Sequence, residues 1–319
     1  MNITTSFDRN YLKYAVVMIA SFCENNPGSH RVYIMHRTLV DEDFELLGKA
    51  LSKYSIDIIS LKIDLSDIEP FLPVTSYWTY ETYCTLKLAD SLPEDVDRII
   101  YFDTDIIVDK PVPELYEMDF DGNDIIAAEE SNGGCTYDVI QDGQQALFAP
   151  YKGNFKYFNT GTMVLNVPQL KKNYSYETYR SLMEKWEYKM PACEQDVLNY
   201  VHFGKVKYIP WYKYNVFARD GCRDGFSYDR VKNGNETSIV HFVGMKPWNS
   251  MGLHYDLEKL WWDYARVTPI YVELMEEFIE DTLTNKTVEN TLRSLNDEKN
   301  SLMDAFKKAN ELLIKITQK

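Results

Sequence analysis

Several features that would declare a class are missing from this chain. No Cys-x-x-Cys pair occurs. The five cysteines (Cys23, Cys84, Cys135, Cys193 and Cys222) are odd in number and spaced unlike any zinc site, so reduced thiols are expected. No Gly-x-Gly-x-x-Gly run opens the first helix, which argues against a dinucleotide fold. No stretch approaches the length of a membrane span. Met1-Asn-Ile-Thr-Thr-Ser6 lacks the basic start and apolar run of a signal peptide. A cytoplasmic location, with at most peripheral membrane contact, is therefore expected. Positive charge is scarce: 34 Lys and Arg face 49 Asp and Glu, for a net charge of -15. A nucleic-acid partner is not expected for so acidic a chain. Internal repeats and low-complexity segments are also absent.

What is present is a regular alternation of strand and helix patterns over 319 residues, 45% of them hydrophobic. Asn2–Thr5 reads as a strand, Tyr11–Cys23 as a helix, Arg31–His36 as a strand, Asp41–Tyr54 as a helix and Ile56–Ile63 as a strand. Tyr80–Leu92 reads as another helix, leading into the strand Ile99–Phe102. Asn123–Ala128, Phe158–Asn166 and Ser238–Phe242 supply later strands, and Tyr174–Lys189 and the run from Glu194 supply helices. This order predicts an α/β fold with a mostly parallel sheet. Ser131 to Lys156 lacks periodicity and reads as a lid. The predicted organisation is a body at 1–255 and a helical extension at 256–319. In that extension Leu292, Leu295, Leu302, Phe306, Ala309, Leu313 and Ile316 recur at heptad spacing, interrupted by Lys299. The run is short for a self-sufficient coiled coil, so packing on the body or on a partner subunit is expected. Lys307, Lys308, Lys315 and Lys319 form a basic patch nearby.

The chemistry centres on Tyr101-Phe-Asp103-Thr-Asp105 at the end of a buried strand. Side chains two apart on a strand share a face, so the two carboxylates repel unless a cation lies between them. A hard divalent cation is the simplest candidate. The alternative is a turn carrying two solvated aspartates. Asp8 and Asn10 are read first as helix caps, and a lone His241 as a core histidine.

Five stretches taken together resemble glycosyltransferase family eight, the group that includes bacterial lipopolysaccharide galactosyltransferases and glycogenin. They are Ser6-Phe-Asp-Arg-Asn-Tyr11, Tyr101 to Asp105, Phe158-Asn-Thr-Gly161, Glu194-Gln-Asp196 and His241-Phe-Val-Gly-Met-Lys-Pro-Trp248. The resemblance spans roughly the first 250 residues. It implies a GT-A-type, Rossmann-like mixed sheet and a retaining transferase. The donor would be a UDP-hexose, galactose favoured over glucose, and the acceptor a hydroxyl of a glycan or glycoconjugate. It also implies Mn2+, with Mg2+ as the alternative, held by Asp103, Asp105 and His241. Thr5, Ser6, Asp8, Asn10 and Tyr11 match uridine-contacting positions, and Thr104 would lie near the ribose. Gly244 and Lys246 match the diphosphate turn. Asn159, Gly161, Glu194, Gln195 and one of Glu129 and Glu130 match the sugar-facing side, with Gln195, Glu194 and Lys246 as the catalytic candidates.

One departure stands out. Thr85, in Tyr83-Cys-Thr-Leu86, occupies a position where such proteins commonly carry a donor-contacting arginine. Gln195 lies where a nucleophile would stand, but an amide is a feeble one, so front-side attack is favoured. Two other readings compete. One is a non-catalytic UDP-sugar-binding or scaffold subunit, possibilities raised by Thr85 and the heptad tail. The other is a haloacid-dehalogenase-like phosphatase, disfavoured because no Gly-Asp dipeptide occurs and Asp103 comes late in the chain.

Overall fold

The apolar runs pair in the order that the alternation requires. The computed structural model describes residues 1–74, 79–250, 254–284, 292–293, 295–303 and 306–307. The strands are β1 (Asn2–Ser6), β2 (His30–His36), β3 (Ile56–Lys62), β4 (Arg98–Phe102), β5 (Ile106–Val108), β6 (Ile125–Glu129), β7 (Phe158–Asn166), β8 (Val206–Ile209), β9 (Val216–Phe217) and β10 (Ile239–His241). Among the described residues a 7-stranded sheet runs β3-β2-β1-β4-β7-β6-β8, and a 3-stranded sheet runs β5-β10-β9. β1 pairs parallel with both β2 and β4, and only β7 runs antiparallel to its neighbours in the large sheet.

Alternation along each strand sorts the core onto two faces. Ile100 and Phe102 join Ile3 and the helix Leu12–Asn25 on one side, whereas Ile99 and Tyr101 join Tyr83, Met163 and Val197 on the other. The helix Leu12–Asn25 is buried all round from Ala15 to Cys23, with β5 and the helix Glu258–Arg266 both packed on it. Strand order switches between β1 and β4: the chain after β1 goes on to β2 on one side, and the chain after β4 goes on to β6 and β7 on the other. The loops after those two strands therefore flank one crevice at the sheet's carboxyl edge, where open α/β sheets bind ligands.

Some elements differ from the sequence reading. Tyr80–Lys87 is a 3-10 helix, followed by a single α turn at Leu88–Ser91, and not the α-helix expected. The hydroxyls of Thr82 and Thr85 donate to the carbonyls three residues back, at 2.8 and 2.9 Å, and the buried Tyr83 and Leu86 repeat every three residues. The second helix ends at Ala50, short of Tyr54, and its first turn is closed by Asp43 accepting the Val40 N–H at 3.0 Å. Ser131 to Lys156 is partly ordered, with a helix at Asp142–Phe148 and a 3-10 helix at Ala149–Asn154. It is anchored, since Gln144 donates at 2.8 Å to the fully buried Asp196.

By packing, the chain divides into two units. One holds Met1–Pro247 and His254–Val272, and the other holds Trp248–Leu253 and Glu273–Lys319. The first takes in the helix Glu258–Arg266, with Trp261 fully buried. In the second, the Ser250 hydroxyl donates to Asp281, and residues 295–303 are helical. Ala309, Leu313, Ile316, Lys308, Lys315 and Lys319 lie outside the described residues.

Candidate functional site

The Asp103-Thr-Asp105 loop is pinned at both ends by backbone. Asp103 N donates to Gly161 O of β7, and Phe242 N donates to Asp105 O, both at 2.9 Å. β10 pairs antiparallel with β5 so that His241 stands opposite Ile106, one residue from Asp105. This register carries a histidine from more than a hundred residues away to the two carboxylates. One ligand atom from each of Asp103, Asp105 and His241 lies within 4.8 Å of the others. His241 Nε2 is 3.1 Å from Asp105 Oδ1 and 3.6 Å from Asp103 Oδ2.

Whether this set fits a cation depends on which His241 nitrogen carries the proton, and the surrounding hydrogen bonds decide it. Gly161 N–H can only donate, and it faces Asn159 Oδ1 at 3.0 Å. That oxygen also takes Asn215 Nδ2 at 2.9 Å, so Asn215 turns its Oδ1 toward His241 Nδ1, 3.1 Å away. Nδ1 is thus the donor, which leaves Nε2 facing Asp103 and Asp105, where it donates a proton to Asp105 in the metal-free protein and would offer its lone pair to a cation that displaces that proton. This is how metal-binding histidines are oriented by outer partners. A Cβ on Gly161 would fall 2.2 Å from His241 Cε1 and 2.9 Å from Asp103 Oδ2, so only glycine lets β7 pass beneath the three groups. Two carboxylate donors and one imidazole suit Mn2+ and leave coordination positions for diphosphate oxygens. These residues fit the cation.

Charge is distributed around this centre in a definite way. Lys246 donates to the Asp105 carboxylate and, at 3.1 Å, to Phe242 O. Burial opposes ionisation of Asp105, but Lys246 and His241 outweigh it and hold its carboxyl below the usual range. Burial, then the Asp105 charge, pushes Asp103 the other way. Burial lowers the His241 pKa, yet the charges of Asp105 and Asp103 prevail and raise it. Tyr101 OH donates to Asp103 Oδ1 at 2.8 Å.

A polar shelf faces these groups across a cleft of ≈ 360 Å³. Gln195 Oε1 accepts from Thr160 N, Thr160 Oγ1 and Asn159 Nδ2 at 3.0, 3.2 and 3.2 Å, while its Nε2 donates to Glu130 Oε2 at 3.1 Å. Asn159 Nδ2 also donates to Glu130 Oε2, at 3.0 Å, so of the two candidate glutamates it is Glu130 that joins the cleft. Glu194 is buried, and its Oε2 has no hydrogen-bond partner. Burial, followed by the Asp103 charge, lifts its carboxyl to about 8.

That shift has a measurable consequence. An acid raised from its ordinary 4.5 to about 8 keeps a proton in the folded state that the unfolded chain has released. Stability then falls as pH rises through this window, by at most about 1.4 kcal/mol per pH unit. Glu194→Gln does not titrate, so in the presence of chelator its melting temperature should gain on the wild type from pH 5 to pH 8 and level off above. A difference that is the same at every pH would refute this.

Of the other expected residues, Ser6, Tyr11, Thr104, Gly244 and Lys246 line the cleft. Thr5, Asp8 and Asn10 do not. Thr5 is buried, and Asp8 Oδ1 accepts Asn10 N and Tyr11 N at 2.9 and 3.3 Å, closing the turn that sets Tyr11 at the cleft. Gly244 adopts φ +84°, which favours glycine. Thr85 lies away from the cleft, lining a separate cavity of ≈ 20 Å³. Asn215, Tyr101 and Thr82 were missed by sequence reasoning. Tyr101 alone carried a signal, two positions before Asp103 on the same strand face.

Residues 2–252 match the sequence profile of Glycosyl transferase family 8. Lipopolysaccharide 1,3-galactosyltransferase of Salmonella typhimurium is 29% identical over 262 residues, which span 79% of this chain and 74% of that protein. Lipopolysaccharide 1,2-glucosyltransferase of Escherichia coli is 27% identical over 260 residues, spanning 78% and 73%. The crystal structure of the galactosyltransferase LgtC in complex with donor and acceptor sugar analogues superposes with a TM-score of 0.67 at 21% identity, over 86% of this chain and 95% of that one. This structural likeness extends the agreement to the GT-A-type fold, and with the profile match over nearly the whole first unit it means that the chain belongs to glycosyl transferase family 8.

Proposed function

We propose that this family member is a retaining hexosyltransferase. It takes galactose, or in second place glucose, from a UDP-sugar and passes it to a hydroxyl of a glycan or glycoconjugate, with Mn2+ or Mg2+ held by Asp103, Asp105 and His241. The observation that carries the reading is His241 Nε2, set by the Nδ1 bond to Asn215 against two carboxylates beside a lysine in one polar cleft. When bound, the cation supplies Lewis-acid stabilisation of the diphosphate oxygens.

The protein's own groups account for the rest. Tyr11 offers uracil a flat aromatic face, with Ser6 beside it and Asp8, Asn10 and Thr5 framing that subsite. Thr104 faces the ribose. Lys246 and the Gly244 turn meet the negative charge that grows as the sugar–phosphate bond breaks. Asn159, Glu130, Gln195 and a neutral Glu194 bind sugar hydroxyls as donors and acceptors. The Gln195 carbonyl already accepts three hydrogen bonds, which supports front-side attack over a covalent intermediate. In that mechanism the acceptor oxygen attacks the anomeric carbon from the face that UDP leaves, and its proton passes to the departing phosphate. The division into a transferase body at 1–255 and a helical extension at 256–319 belongs to the same proposal. No helix among the described residues is long and apolar enough to cross a membrane.

The test is UDP release from a panel of UDP-sugars, with Mn2+ and with chelator. Release from one UDP-hexose, lost in chelator, is expected. UDP binding without release from any sugar would favour the non-catalytic binding subunit.

A further inference from the structure

The function proposed above leaves the heptad tail unused. From Leu292 the 3-4 spacing is unbroken over four heptads in the sequence. Leu292, Lys299, Phe306 and Leu313 take position a. Leu295, Leu302, Ala309 and Ile316 take position d. Residues 295–303 are helical, as the pattern requires. Yet the apolar seam positions among the described residues are uncovered, with Leu292, Leu295, Leu302 and Phe306 61, 56, 66 and 69% exposed. A helix that keeps its polar side in water and its apolar side equally in water has not found its partner.

We propose that this partner is a second copy of the chain, paired as a parallel two-stranded coiled coil through the heptad run that begins at Leu292. The exposed face already has the shape of such an interface. Leu295, Glu298, Lys299 and Leu302 border one apolar groove with Met303 and Phe306. The first four are positions d, g, a and d, the set that makes the hole for an a-position knob of a parallel partner. The knob entering this hole is the second copy's Lys299, and its ammonium meets Glu298 on the rim. Two-fold symmetry makes the pair twice. In an antiparallel pairing of the same seam, Lys299 would instead meet a d position and leave Glu298 aside. A single charged a position of this kind sets register and strand number at some cost in stability. Charge elsewhere in the tail permits the pairing. From Leu292 onward there are six basic and four acidic residues, against -15 for the whole chain, so two tails do not repel as two bodies do.

The test is the molar mass of the full chain by sedimentation and light scattering at micromolar concentration. The wild type should be a dimer and Leu302→Asp a monomer. Because Leu302 is exposed in the single chain, the variant should keep its fold and its UDP binding, which separates this test from that of the proposed activity. Leu295→Cys should cross-link under mild oxidation well above the wild-type background, since a parallel pair sets the two introduced thiols side by side. An antiparallel pair would hold them about 27 Å apart. A monomeric wild type, or a dimer that survives Leu302→Asp, overturns the proposal. So does flotation of the monomer with phosphatidylglycerol-containing vesicles that Leu302→Asp abolishes, which would assign the seam to a lipid surface. Absence of the cross-link overturns the parallel arrangement.

Discussion

Asp105→Ala should remove sugar transfer almost entirely, with a fall of at least about 10³-fold in UDP release, equivalent to about 4 kcal/mol of lost transition-state stabilisation. Asp105 meets both cationic partners of the site, with Oδ1 toward His241 and Oδ2 under Lys246. Removing it takes away one of the three groups proposed to hold the cation. It also leaves a buried lysine beside an imidazole with only Asp103 to balance them. The His241 pKa falls back, because Asp105 is the larger of the two charges that raise it. Lys246 loses the anchor that holds it at the cleft wall. Breaking a buried ion pair can cost about 3–5 kcal/mol of stability, so melting temperature must be followed alongside rate. Asp105→Asn separates the two effects, since it keeps the shape and an acceptor for Lys246 while discarding the charge. It should stay folded and still lose most Mn2+ affinity by calorimetry. Retention of Mn2+ binding and of UDP release within about tenfold of wild type by either variant would remove Asp105 from the metal site.

How much of this was legible in the sequence depended on how local the cause was. β4 and β7 could be read because buried strands announce themselves as apolar runs, and Asp103 and Asp105 because two carboxylates at strand spacing demand an explanation. Pairing a chain-distant His241 with them needed the family resemblance, since no periodicity reports a β5–β10 register. The small sheet was hardest to read. β9 has two residues and β5 three, too few for an alternation to show. Tyr80–Lys87 misled because its aromatic and apolar residues satisfy a helical pattern, while the threonine hydroxyls that tighten it to 3-10 geometry act through the backbone. Glu129 and Glu130 could not be separated because β6 ends between them. Glu129 pairs with Phe158, and Glu130 begins a turn in which Ser131 and Asn132 take φ of 55 and 53°, swinging its carboxylate into the cleft.

Asn215 gave no signal at all, and it carries the second large prediction. It is fully buried between Tyr214 and Val216, and a lone asparagine there reads as a turn former. In the structure its Oδ1 takes the His241 Nδ1 proton and its Nδ2 serves Asn159, which also braces Gln195 and Glu130. One amide thus couples the metal side of the cleft to the sugar side. Asn215→Leu keeps the γ-branched shape and removes both functions. Nδ1 then has no acceptor, the proton is free to move to Nε2, and the lone pair turns away from the carboxylates. Mn2+ affinity should fall about 10–100-fold, the usual cost of losing an outer partner of a metal-bound histidine. Asn215→Asp retains the acceptor and should bind Mn2+ more tightly than Asn215→Leu, although it gives up the bond to Asn159. Nitrogen chemical shifts of His241 in the metal-free protein, read at a pH above its raised pKa, should show Nδ1–H in the wild type and a mixture of tautomers in Asn215→Leu. If His241→Ala loses Mn2+ while Asn215→Leu binds it like the wild type, His241 is a ligand that needs no such guidance, and the path from Gly161 N–H through Asn159 and Asn215 is only packing.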